Sequence, residues 1–199
     1  MTRQVHFVGS IGLDTVEEVF STVGRELGSK VQRCPDGEVG GRLPIFGAPD
    51  NVEEFLGERF ARLAEAIPDA VELGFHLCYG DLDAKHFIEP TDTGKATAMV
   101  NLITRSIDHP VGWIHLPVPV DRDDLAYFEP LANLELGAET ELFLGLVHAG
   151  DGVEGTRRRI AAAEQVVENF GIATECGIAR VRTPELVREL LHIHALAAD

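Results

Sequence analysis

The sequence predicts an α/β fold, a (β/α) TIM-type barrel shortened to about six β/α units. Three observations predict it. Short β-branched or apolar runs alternate with stretches of helical periodicity along the chain. The helical stretches carry start and stop signals. Histidines and cysteines fall, one run after another, at the C-terminal ends of the strand-like segments, where barrels carry their reactive groups. Alternation by itself allows a parallel sheet that is either closed or open and doubly wound. No G-x-G-x-x-G follows the first strand, which weakens the dinucleotide-binding version.

The strand candidates are residues 5–9, 30–34, 71–78, 111–117, 141–148 and 171–176. Between the first two, Asp14 caps a helix with Glu17 at its third position. Val16, Val19, Phe20, Val23 and Leu27 make its apolar stripe, and Gly28 ends it. Val52, Phe55, Leu56, Phe60, Leu63 and Ile67 repeat the pattern before Pro68, and Ala96, Met99, Val100, Ile103 and Ile107 form a third stripe. Asp121 to Asp124 read as an acidic helix start, and Thr183 and Pro184 open the last helix with a cap and a first-turn proline. About six units are two short of a full barrel, so the chain leaves a gap, hides strands, or is completed by a neighbour as a homo-oligomer. The Gly- and Pro-rich stretch from Pro35 to Pro49 is the natural place for a lost segment.

Composition bounds the function. At 199 residues, 45% hydrophobic and 25% charged, the chain reads as one globular domain spanning 1–199. No run approaches a membrane span and the N-terminal apolar run is too short for a secretory signal, so the expected location is cytoplasmic. Three cysteines at wide spacing, Cys34, Cys78 and Cys176, argue for reduced thiols rather than a disulfide framework. A net charge of −16 repels a phosphate backbone and speaks against a nucleic-acid partner. The one dense basic run, Arg157 to Arg159, is expected on the solvent face of a helix.

His76 and Cys78 carry the chemistry. Residues two apart on a strand share a face, so H-x-C aims an imidazole and a thiol the same way. That pair suits Zn²⁺, which takes tetrahedral nitrogen and sulfur coordination. His115 and Cys176, at the ends of two later strands, complete a candidate set of four ligands.

Laid out this way, the chain resembles the C-terminal catalytic barrel of cobalamin-independent methionine synthase, and the superfamily that barrel shares with uroporphyrinogen decarboxylase. His76-Leu-Cys78-Tyr79 resembles the family's H-x-C-Y zinc motif and Glu175-Cys176-Gly177 its D-C-G. Val8-Gly9-Ser10 resembles its I-G-S, Asp36-Gly37-Glu38 its H-G-E, and Val147-His148 the I-H that bears a catalytic histidine. The resemblance implies that zinc holds a thiol substrate as thiolate for attack on an alkyl donor. It implies that His148 protonates the leaving group, and that Ser10 and Glu38 hold the carboxylate and ammonium of an amino-acid-like thiol. The family's remaining zinc ligand is a glutamate, and the matching run, Trp113-Ile-His-Leu-Pro117, puts His115 there. The D-E-P segment and the N-terminal barrel that helps bind folate polyglutamate have no counterpart, which speaks against methionine synthesis itself.

Competing readings stay open. Each cysteine alone reads as a small buried hydrophobe, His115 as a core-edge histidine bonded to a carbonyl, and His148 as a loop residue before Ala149-Gly-Asp-Gly152. Glu175 points away from Cys176 if the strand continues, and is expected to be structural. The same zinc thiolate also suits a carbon–sulfur lyase or an epoxide-opening thiol transferase, and a non-catalytic metal- or ligand-binding module would keep the metal without turnover.

Overall fold

A computed structural model describes residues 52–79, 89–178 and 182–198. The strand candidates 5–9 and 30–34, the helix capped by Asp14, and Ser10, Cys34 and Glu38 lie outside the described residues.

The described residues form an α/β arrangement: α1 (Val52–Glu65), β1 (Leu73–His76), α2 (Gly94–Ser106), β2 (Val111–Pro117), α3 (Leu125–Phe128) running into a 3₁₀ turn (Glu129–Asn133), β3 (Glu141–Val147), α4 (Gly152–Ala163), β4 (Phe170–Thr174) and α5 (Pro184–Ala197). The four strands make one parallel sheet in the order β1-β2-β3-β4. Sequential strands in parallel require helical crossovers, and α2 and α4 supply the first and third of them. No helix among the described residues is long and apolar enough to cross a membrane.

The two faces of the sheet differ. Ile114 and Leu116 of β2 and Leu142, Leu144 and Leu146 of β3 alternate onto one face and are buried against Ala96 and Val100 of α2 and Ala162 and Ala163 of α4. Each of these larger side chains contributes about 1.5–3 kcal/mol by leaving water, so this layer holds the sheet. A second cluster joins α1 to α2 through Ala64, Ile103 and Ile107, with Phe60 packed edge-on against Phe75 of β1 at 5.9 Å. α5 packs beside α4, where Leu190 and Ile193 cover Val147.

The opposite face pairs glycine with aromatic side chains. Gly74 is registered against Trp113 and Gly171 against Phe143. A Cβ at Gly74 would lie 2.0 Å from the Trp113 ring, and one at Gly171 would lie 2.5 Å from the Phe143 ring, so the missing side chains make room for the rings. His76 and His115 come next along the same rows and are also registered to each other.

The caps follow the sequence closely. The Thr183 hydroxyl accepts from the Leu186 N–H with Pro184 in the first turn, and Asp124 accepts from the Tyr127 N–H at the start of α3. The basic run departs from expectation. Arg157 and Arg158 are exposed, but Arg159 is fully buried. Its guanidinium donates to the carbonyls of Leu146 and Val120 and forks onto both oxygens of Asp151 at 2.7 and 2.8 Å. Helical periodicity turns one of three consecutive residues inward, and Asp151 supplies the counter-charge. The Arg159 hydrogen bonds hold the Asp151 carboxyl below the ordinary carboxylate range. One buried cation thus ties the end of β3, the loop after β2 and the turn into α4 together.

Candidate metal centre

The C-terminal ends of β1 and β4 build the site. Beyond His76 the chain keeps pairing with β2, through the Leu77 N–H to the His115 carbonyl at 3.0 Å, and this carries Cys78 up from the strand end. On the other side, the chain leaves β4 after Thr174, whose hydroxyl donates to the Cys176 carbonyl at 3.0 Å and folds the Glu175-Cys176 turn back. Arg182 donates to the next carbonyl, that of Gly177.

These two turns bring His76, Cys78 and Cys176 together, with donor atoms all within 4.8 Å of one another. The two sulfurs are 3.8 Å apart, and Cys176 Sγ is 3.5 Å from His76 Nε2. Cys78 is exposed and His76 and Cys176 are half-buried, so the group is open to solvent on one side. Two zinc–sulfur bonds of about 2.3 Å at a tetrahedral angle subtend about 3.8 Å, and one such bond with a zinc–nitrogen bond of about 2.0–2.1 Å subtends about 3.6 Å. These two separations match tetrahedral edges, and the third pair, Cys78 with His76, lies within 4.8 Å. The donor set and its spacing fit a soft divalent metal ion.

The electrostatics agree with that need. The Cys176 thiol is pushed up to about 12, chiefly by its hydrogen bond with Cys78 and further by burial, with His76 pulling the other way. Two sulfurs in contact resist carrying two negative charges. A cation between them removes this penalty, because a coordinating thiol is deprotonated outright.

His115, the fourth expected ligand, is placed differently from the other three. It is buried, and its Nδ1 lies 2.5 Å from Nδ1 of His76, the two rings near-parallel at 16° and meeting edge to edge with centroids 4.7 Å apart. Its position behind His76 follows from the direct registration of the two residues across β1 and β2. Burial, and next the His76 charge, push the His115 ring down to about 4, against the pull of the Thr174 backbone, so it stays neutral near pH 7.

His148 follows the end of β3 and is buried. Its Nε2 donates to the Val118 carbonyl at 2.8 Å and its Nδ1 faces the Glu175 carboxylate at 3.2 Å. Glu175 therefore does not simply face away as a continuing strand would have it. The strand stops at Thr174, alternation ends there, and Glu175 pairs with His148 while its neighbour Cys176 joins the metal group.

Gly145 is a site residue that the motifs of the sequence do not mark. A Cβ there would lie 2.8 Å from Glu175 Cα, 3.1 Å from the Thr174 carbonyl oxygen and 3.2 Å from Pro117 Cα. The registration of β3 with β4 also shifts between Leu144 and Val147. The absent side chain lets the backbone that bears Cys176 pass close over the sheet. The available signal was a glycine inside a strand-like run, which marks close backbone approach.

No family model matches the chain, and no curated protein matches it.

Proposed function

We propose that this chain binds one zinc ion through His76, Cys78 and Cys176 and transfers a methyl or other alkyl group to or from a small-molecule thiol. The observation that carries the reading is the match of the S···S and S···N separations, 3.8 and 3.5 Å, to the edges of a tetrahedral zinc site. Bound there, zinc lowers the pKa of a substrate thiol so that it reacts as thiolate.

The chain's own groups then have defined tasks. The thiol releases its proton to solvent, its sulfur lone pair forms the new S–C bond, and the donor's C–X bond breaks with the electron pair leaving on X. His148 supplies the proton that X takes up, and Glu175 steadies the ring and compensates its charge. Both His148 nitrogens are engaged, so proton release from either one breaks a contact, to Val118 or to Glu175. Ser10 and Glu38 are assigned to the carboxylate and ammonium of an amino-acid-like thiol on their likeness to the methionine synthase barrel. The same likeness extends the parallel sheet to a shortened barrel; the units it lacks call for completion by a second copy, and the absence of a long apolar run in the sequence suits a cytoplasmic enzyme.

The test is thiol addition to zinc-loaded protein, followed by proton release in buffers of different ionisation enthalpy. About one proton per bound thiol supports the reading. Zinc bound tightly with no proton release for any of a panel of amino-acid and simple alkyl thiols refutes thiol activation and leaves a metal-binding module.

A further inference from the structure

We infer that His115 is not a ligand but the residue that orients His76 behind the metal, leaving the fourth coordination position open for an exogenous thiol. The inference rests on the zinc reading above and assigns the second of the two histidines that the sequence would place among the ligands.

Three geometric facts carry it. First, His76 turns Nε2 toward Cys176, at 3.5 Å, and Nδ1 toward His115. The two nitrogens of an imidazole diverge across the ring, so the ring that serves the metal through Nε2 has His115 at its back. Second, the His76 and His115 Nδ1 atoms are 2.5 Å apart. Two nitrogens on one tetrahedral zinc stand about 3.3 Å apart at bond lengths of about 2.0–2.1 Å, so the two rings are in hydrogen-bond contact and closer than shared coordination would hold them. Third, the donor atoms that converge within 4.8 Å are those of His76, Cys78 and Cys176. His115, registered directly beside His76 and 9% exposed, is locked in place by the sheet rather than by the group.

The proton placement follows. A metal-bound histidine is a neutral ring whose free nitrogen carries the proton. His76 then donates from Nδ1, and His115 accepts at its own Nδ1. The proton of neutral His115 sits on Nε2, a buried atom without a hydrogen-bond partner of ordinary geometry. Partners that orient a ligand in this way are worth about 10- to 100-fold in metal affinity. Three protein ligands with one open position is the arrangement of catalytic zinc, whereas four protein ligands is that of structural zinc.

The experiment compares wild type, His115→Ala and His115→Asn by X-ray absorption of the zinc-loaded proteins and by competition with a chromophoric chelator. Asn keeps an acceptor near the Nδ1 position and serves as the second variant should Ala impair folding. Expected are one imidazole, two sulfurs and one light exogenous atom in all three proteins. Zinc affinity should fall about 10- to 100-fold in His115→Ala and be partly restored in His115→Asn. Two imidazoles in the wild type falling to one in His115→Ala, or an affinity unchanged in His115→Ala, would overturn the assignment. Nitrogen-15 NMR of the metal-free protein separates this failure from that of the zinc reading. A His76 ring protonated at Nδ1 with its proton shared to His115 supports the pairing even where wild type fails to bind zinc, and the opposite tautomer contradicts it.

Discussion

Cys78 and Cys176, 98 positions apart, bring their sulfurs to 3.8 Å because they follow β1 and β4, the two outer strands of the described sheet, at the same end. In a parallel sheet all strand ends of one polarity lie together, so residues far apart in sequence meet there without a special connection.

The acid sensitivity of the metal-free protein should trace to His115. Its ring titrates at about 4 in the folded chain against an ordinary 6.5. Between those values the unfolded chain binds a proton that the folded chain refuses. Stability present above pH 6.5 is therefore lost as pH falls toward 4, by about 3 kcal/mol in all. Urea unfolding at pH 7.5 and 4.5 measures it, and His115→Leu should flatten the dependence. Equal pH dependence in both proteins would show that other groups dominate.

Gly145→Ala should damage the site without touching a ligand. The new methyl meets backbone of Thr174, Glu175 and Pro117, none of which yields by a side-chain rotation. A stability loss of about 1–3 kcal/mol is expected, with weaker metal binding as the Cys176 turn is displaced. Gly150→Ala, which meets nothing within 4 Å, is the control and should stay within about 0.5 kcal/mol. Chelator competition and thermal unfolding on both variants distinguish them.

The basic run should divide by burial. Asp151→Ala strands the buried Arg159 guanidinium and is expected to cost about 3–5 kcal/mol. Arg157→Ala, at an exposed position paired with Glu154, should stay within about 0.5 kcal/mol. Similar losses in the two variants would contradict the role given to Arg159.

How far the sequence was legible depends on what each feature rests on. The runs that became β2 and β3 are continuous and apolar enough to read directly, and the Thr183 and Asp124 caps are local chemistry. The meeting of Cys78 with Cys176 followed from both residues ending parallel strands. Registration is not local, and so His115 was read as a fourth ligand, whereas its direct pairing with His76 sets it behind that ring. Arg159 read as solvated because a charge run says nothing of which member a helix turns inward, or that Asp151 waits there. Glu175 depended on where β4 stops, and strand ends are the least readable boundaries.

Metal content decides whether His76, Cys78 and Cys176 form a zinc site. Protein produced without an affinity tag, together with Cys78→Ser and Cys176→Ser, is analysed by inductively coupled plasma and native mass spectrometry. About one zinc per chain is expected in the unaltered protein, lost in both variants while the fold persists by circular dichroism. An unaltered protein that neither retains zinc nor takes it up when supplied, or variants that hold zinc as well as the parent, would contradict it.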